Sequence, residues 1–201
     1  SKSPSAIGAK MNYGDALRNS GNPSEALKQY LHVNQNNSIL NTKAKLTTTH
    51  GIVVSYIDLG DYQQAQKWLD VALTYSERYS SHYYYLMGFI SLRKNDPLNA
   101  EKYLLKSLEI GKGYKTSYLL GGIYFHTARE QQSIENYKKA EKYLKDSLEL
   151  NPRFSMASLL LAKTYIALGD KQKARINAEN ALRYADSQEV VNQAQSILQM
   201  K

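Results

Sequence analysis

The sequence contains no cysteine, which excludes disulfide scaffolds, thiolate metal sites, redox motifs and a cysteine nucleophile together. Proline (4) and glycine (11) are scarce among the 201 residues, so a Gly- and Pro-rich β protein is disfavoured. No stretch reaches the roughly 18 consecutive apolar residues of a membrane span, because Lys, Asp, Gly or Tyr breaks each one. Charge of one sign is limited as well. The 26 Lys plus Arg stand against 18 Asp plus Glu for a net +8, and 22% of residues are charged, close to the ~25% of ordinary folded domains. What is plentiful is Tyr, with 17 copies, and an all-α chain with aromatic knobs is expected. The opening Ser1-Lys2-Ser3-Pro4-Ser5 is polar, without an initiator Met or an apolar signal core. It reads as a trimmed beginning, from which a targeting segment or a lipid-anchored cysteine has been lost or at which a natural chain was cut.

Internal repetition sets the architecture. Three segments share one order, Gly or Asn, then Asp, then Ala after three residues and an apolar or small residue four positions later: Gly60-Asp61 with Ala65 and Leu69, Asn95-Asp96 with Ala100 and Leu104, and Gly169-Asp170 with Ala174 and Ala178. A fourth, Gly21-Asn22 with Ala26 and Tyr30, has Asn for Asp. Gly or Asn supplies the left-handed residue that ends one helix, and Asp or Asn begins the next. The preceding helices carry large and small residues on one face, as in Tyr13-Gly14 with Leu17, Met87-Gly88, and Leu120-Gly121 with Tyr124. The unit is a helical hairpin.

These motifs resemble the tetratricopeptide repeat, whose helix A carries a large-small pair and whose helix B carries Ala, a large residue and Ala. The anchor alanines 26, 65, 100 and 174 are spaced by 39, 35 and 74 residues. A further repeat therefore lies between Ala100 and Ala174. It is anchored by Ala140 and Leu144 and closed by Leu148-Glu149-Leu150-Asn151-Pro152, an ending typical of the family. The resemblance implies a right-handed superhelical solenoid. After a polar leader at 1–6 come five hairpins, at about 7–40, 46–79, 81–113, 114–153 and 155–186, and a capping helix in 187–201 with Val190, Val191, Ala194, Ile197 and Leu198 at helical spacing. No linker interrupts the array, so one continuous superhelix is expected. Two hairpins are enlarged. The first gains about five residues in Asn34–Asn41, and the fourth about seven in Ala128–Ile134, enough to lengthen its helices by about two turns.

Nothing in the sequence places a catalytic group. G-x-S-x-G, G-x-x-x-x-G-K-[ST] and H-E-x-x-H are all missing, so a non-enzyme without cofactor is expected. His32, His50, His82 and His126 lack the i, i+3 or i, i+4 spacing of ligands on one helix, which argues against a metal site. Basic residues alternate with acids along Lys138–Asp146, the pattern of a solvated helix face, and nucleic acid is not the expected partner.

A repeat array of this kind binds along a curved surface. The resemblance implies that helix A lines the concave side, and its surface positions carry over as Val54 and Ile57 in the second repeat and as His82, Tyr85, Phe89, Leu92 and Arg93 in the third. The fourth contributes Tyr118, Phe125 and His126. An apolar or amphipathic partner segment is expected there, with a few aromatic and aliphatic anchors supplying most of the affinity. At the positions where family members that grip chaperone tails place a carboxylate clamp, the first repeat has Met11 and Asp15, and an acid there would repel a carboxylate. The resulting reading is a scaffold for protein partners, in the manner of repeat lipoproteins of the bacterial periplasm or cell envelope that support pilus or secretion assembly. A cytosolic adaptor or co-chaperone, the regulatory part of a larger enzyme, and a homo-oligomer remain the other expectations.

Overall fold

A computed structural model describes residues 4–35, 40–75 and 80–200. They form eleven helices and, among the described residues, no strand: α1 (Pro4–Asn19), α2 (Pro23–Asn34), α3 (Thr42–Asp58), α4 (Tyr62–Tyr75), α5 (Ser80–Arg93), α6 (Pro97–Ile110), α7 (Tyr114–Gln131), α8 (Ile134–Leu150), α9 (Ser155–Ala167), α10 (Lys171–Arg183) and α11 (Gln188–Leu198). No helix among them is long and apolar enough to cross a membrane. The chain divides into two compact units, residues 1–103 and 104–201, with the division inside α6.

The turns follow from the repeated motif. Gly21, Gly60 and Gly169 adopt φ of +81°, +77° and +80°, and Asn95 takes φ 59°, so each supplies the left-handed step that closes its helix. The next amide then reaches back over a full turn, as Asp61 N–H donates to the Tyr56 carbonyl and Asp170 N–H to that of Tyr165, both at 2.9 Å. Asp61, Asp96 and Asp170 each cap the following helix by accepting from the backbone N–H three residues on, at 3.0, 3.1 and 3.0 Å. Asn22, the departure from the pattern, makes no such cap.

In the first unit, Tyr30 of α2 is the central knob. Its ring lies against Gly14 of α1 and Gly51 of α3, where a Cβ would stand only 2.9 and 2.5 Å from ring carbons. Glycine is required there by this close approach and not by backbone conformation. Ala26 and Ile52 complete that cluster, and Leu46, Val53, Leu69, Tyr83, Leu86 and Ile90 form the larger core of α3, α4 and α5. In the second unit, Leu144, Leu161, Tyr165 and Ala174 make the core, and Gly121 presses on Leu144, 2.7 Å from where its Cβ would be. Helix α11 buries Val190 and Ala194 against Leu159 and Ala181 and exposes Gln195 and Ser196, so it is the expected cap.

The fourth hairpin is longer than the third. Helices α7 and α8 have 18 and 17 residues against 14 each in α5 and α6, a gain of about one turn per helix. Ala128–Gln131 simply continues α7, because it contains no Gly or Pro, and the turn is made by Gln132 (φ 51°) and the capping Ser133. Of the first hairpin's insertion, Asn34 ends α2 and Leu40 is buried; residues 36–39 lie outside the described residues.

Candidate partner-binding surfaces

In the first unit α3 and α5 are successive A helices, and their packing sets two histidine rings side by side, tilted by 54°. The rings of His50 and His82 lie 5.1 Å apart, and His82 stacks on Tyr85 at 5.9 Å. Beside them a cavity of roughly 250 Å³ is lined by Lys43, Leu46, Thr47, His50, His82 and Tyr83. His50 is largely buried and its Nδ1 has no hydrogen-bond partner, as is also true of Thr49 Oγ1 and Arg18 Nε. Burial, and then the Arg18 guanidinium, push the His50 pKa below its ordinary value, while Asp15 acts weakly in the opposite direction. On the α1 side of His50, Arg18 pairs with Asp58 at 3.5 Å, and Asp15 accepts a short hydrogen bond from the Tyr30 hydroxyl. Burial and this bond hold the Tyr30 phenol far above its usual range.

The other expected surface residues of this unit fall into two groups. His82 and Arg93 are exposed, and Arg93 donates from Nε to the Tyr62 hydroxyl at 2.9 Å with its guanidinium over that ring. Val54, Ile57, Tyr85, Phe89 and Leu92 are half-buried, with Ile57 and Tyr85 leaning on the α3–α5 core. In the second unit two of the three expected residues pack against other rings. Tyr118 packs edge-on against Phe154 at 5.0 Å, and burial raises its pKa. Phe125 is only 8% exposed, between Tyr137 and His126, and His126 alone is open to solvent.

The sequence matches the tetratricopeptide-repeat family over residues 81–110 and again over 125–190. Both stretches are tetratricopeptide repeats. Among solved structures it is similar to a thermophilic TPR protein of Thermus thermophilus (TM-score 0.70, 16% identity, 96% of this chain and 100% of that one). It also resembles PilW, a widely conserved type IV pilus biogenesis factor (TM-score 0.70, 18% identity, 97% and 90%). A third is YrrB, a TPR protein with an unusual peptide-binding site (TM-score 0.61, 16% identity, 93% and 90%). No curated protein matches the sequence. As a TPR chain it uses the family's large-small pairing through Leu120-Gly121 over Leu144, but the first unit inserts Tyr30 against two glycines, and only Gly14 belongs to a recognisable pair.

Sequence reasoning missed two features. The histidine pair joins residues 32 positions apart, which spacing along one helix cannot reveal. A second cavity, of about 450 Å³, opens in the second unit where Ile166, Ala174 and Arg175 meet Ile197, Leu198 and Met200 at the end of α11. The helical spacing of Ile197 and Leu198 signals an apolar face there, though not that part of it stays uncovered.

Proposed function

We propose that this chain is a non-catalytic scaffold that captures partner proteins on the A-helix surface of its first unit, with Val54, Ile57, His82, Tyr85, Phe89, Leu92 and Arg93 in contact. One observation carries the reading. Apolar and aromatic side chains on α3 and α5 stay half-exposed, although the same helices bury Leu46, Val53, Leu86 and Ile90 fully enough to hold the fold. A surface that leaves large rings partly open gains by burying them against a partner, about 25 cal/mol for each Å² of apolar area removed from water. His126 is the exposed counterpart in the second unit, with Phe125 packed edge-on against it, and Tyr118 and Phe125 complete the proposed contact set there. The partner segment is apolar or amphipathic, and the pathway is assembly of a bacterial cell-envelope, pilus or secretion complex; the fold shared with PilW supports that choice over a cytosolic adaptor.

The test is capture of partners from the native host by the intact chain and by a Phe89→Glu, Leu92→Glu double variant, with circular dichroism on both. The double variant is expected to keep its helicity and lose the partner. Equal capture by both would place binding elsewhere.

A further inference from the structure

His50 sits in the middle of the row of A helices of the first unit. Helix α1 reaches it with Arg18 and Asp15, and α5 sets the His82 ring 5.1 Å away. The remaining ionisable groups around this contact follow element by element. From α2 comes Tyr30, which binds Asp15; from α3 itself come Asp58, which pairs with Arg18, and Lys43, on the wall of the cavity that both histidines line. Helix α5 adds Tyr83 and Tyr85, and α4 brings Ala65, Leu69 and Ala72 to the shared core. With both imidazoles neutral the formal charges balance, Arg18 and Lys43 against Asp15 and Asp58. Both carboxylates are already engaged, one by the Tyr30 hydroxyl and the other by Arg18. A proton on His50 therefore finds no spare counter-charge. It also turns both ring nitrogens into donors, although His50 Nδ1 is buried with no acceptor beside it, and a charged donor left unsatisfied is costly. The lowered pKa of His50 agrees with this geometry. A further proton on His82 sets two like charges across the same 5.1 Å, and each then disfavours the other.

We infer that the His50–His82 contact is an acid-sensitive latch, which holds α5 against α3 while the rings are neutral and lets the two helices part when both are protonated. A single proton can be accommodated at exposed His82; the second cannot. Parting loosens the core that Leu46 and Val53 of α3 share with Tyr83, Leu86 and Ile90 of α5. It also separates Val54 and Ile57 from Tyr85, Phe89 and Leu92, so a partner held across both helices is released as pH falls through the histidine range. That last consequence rests on the partner-binding reading of the same surface, whereas the opening does not. Trp68, the only tryptophan, packs on this core and on the Tyr30 cluster and reports the opening directly.

The test is a titration of the full chain from about pH 7.5 to about pH 5, with NMR on the histidine side chains and on the amides of α3, α5 and α9, and with Trp68 fluorescence. The unmodified chain is expected to show one reversible transition of α3, α5 and Trp68 below about pH 6, while α9 of the second unit keeps its signals. His82→Gln, at an exposed position, removes the second charge and should lower the midpoint by about one pH unit or abolish the transition, with a thermal melt at neutral pH like that of the unmodified chain. His126→Gln, also exposed but in the second unit, should change nothing. No transition down to about pH 5, a midpoint indifferent to His82→Gln, or simultaneous loss of α3, α5 and α9 signals, as in ordinary acid unfolding, would overturn the latch. Partner capture at the two pH limits then tests its consequence. Retention should fall about tenfold or more at the lower pH for the unmodified chain, and much less for His82→Gln. Capture indifferent to pH while α3 and α5 open would sever the latch from partner release. No capture at either pH would sink the scaffold reading, and the titration alone would then decide the latch.

Discussion

The Tyr30 ring against Gly14 and Gly51 makes the sharpest stability contrast at the residue scale. A methyl group at position 51 would meet the ring at 2.5 Å, and because Tyr30 is 1% exposed the ring has nowhere to go. Gly51→Ala is expected to destabilise the first unit by about 1–3 kcal/mol in denaturant unfolding. At Gly8, also in a helix, an added methyl group would have nothing within 4 Å, so Gly8→Ala should stabilise by about 0.5–1 kcal/mol. Only Gly14 was legible beforehand, since Gly51 follows His50 and forms no large-small pair. The His50 titration gives a second expectation. Its folded pKa lies below the ordinary value, so the unfolded chain binds that proton more tightly. Stability from this residue is complete above the unfolded pKa of about 6.5 and is lost as pH falls through the lowered folded value. Thermal melts should show the first unit weakening below about pH 6, and His50→Gln should flatten that dependence; an unchanged slope would remove His50 as its cause.

Helix boundaries are the part of the fold that the sequence made most legible, because Gly-Asp and Asn-Asp carry a physical cause for both an end and a start. Observed left-handed residues fall at Gly21, Gly60, Asn95 and Gly169, one in each recognised motif. The fourth hairpin has no such motif, and its turn was hidden among Ala128–Ile134 for that reason. Gln132 adopts φ 51° there, a conformation that costs a side chain with a Cβ about 1–2 kcal/mol. Gln132→Gly should therefore raise the stability of the second unit by about 1 kcal/mol, read from its denaturation midpoint. A lower midpoint would mean that the Gln132 side chain stabilises this turn. Which ring on an A helix is open was not legible at this scale. Tyr118 and Phe125 occupy the same register as Tyr85 and Leu92, yet Phe154 and Tyr137 pack against them, and those packing residues come from other parts of the chain.

Across the whole molecule the +8 charge is dispersed. Many basic residues pair along their own helices, as Lys28 does with Glu25, Lys139 with Glu135 and Lys145 with Glu141, and such exposed pairs add little to stability. Partner choice is thus referred to local surfaces and not to a global field. Replacing Phe125 by Glu would bury an uncompensated charge at an 8% exposed site, costing about 3–5 kcal/mol; its melting temperature should drop sharply, while that of Phe89→Glu stays near the unmodified value. Similar melts for the two would show that Phe125 is as open as Phe89. The most direct measurement of the central claim is photo-crosslinking in living cells of the native host, with a benzoylphenylalanine placed at Phe89 on α5 or at Leu98 on α6, which is 79% exposed. The partner-binding account predicts a discrete crosslinked partner from position 89 and none from position 98. The same partner captured from position 98, with nothing from position 89, would contradict it.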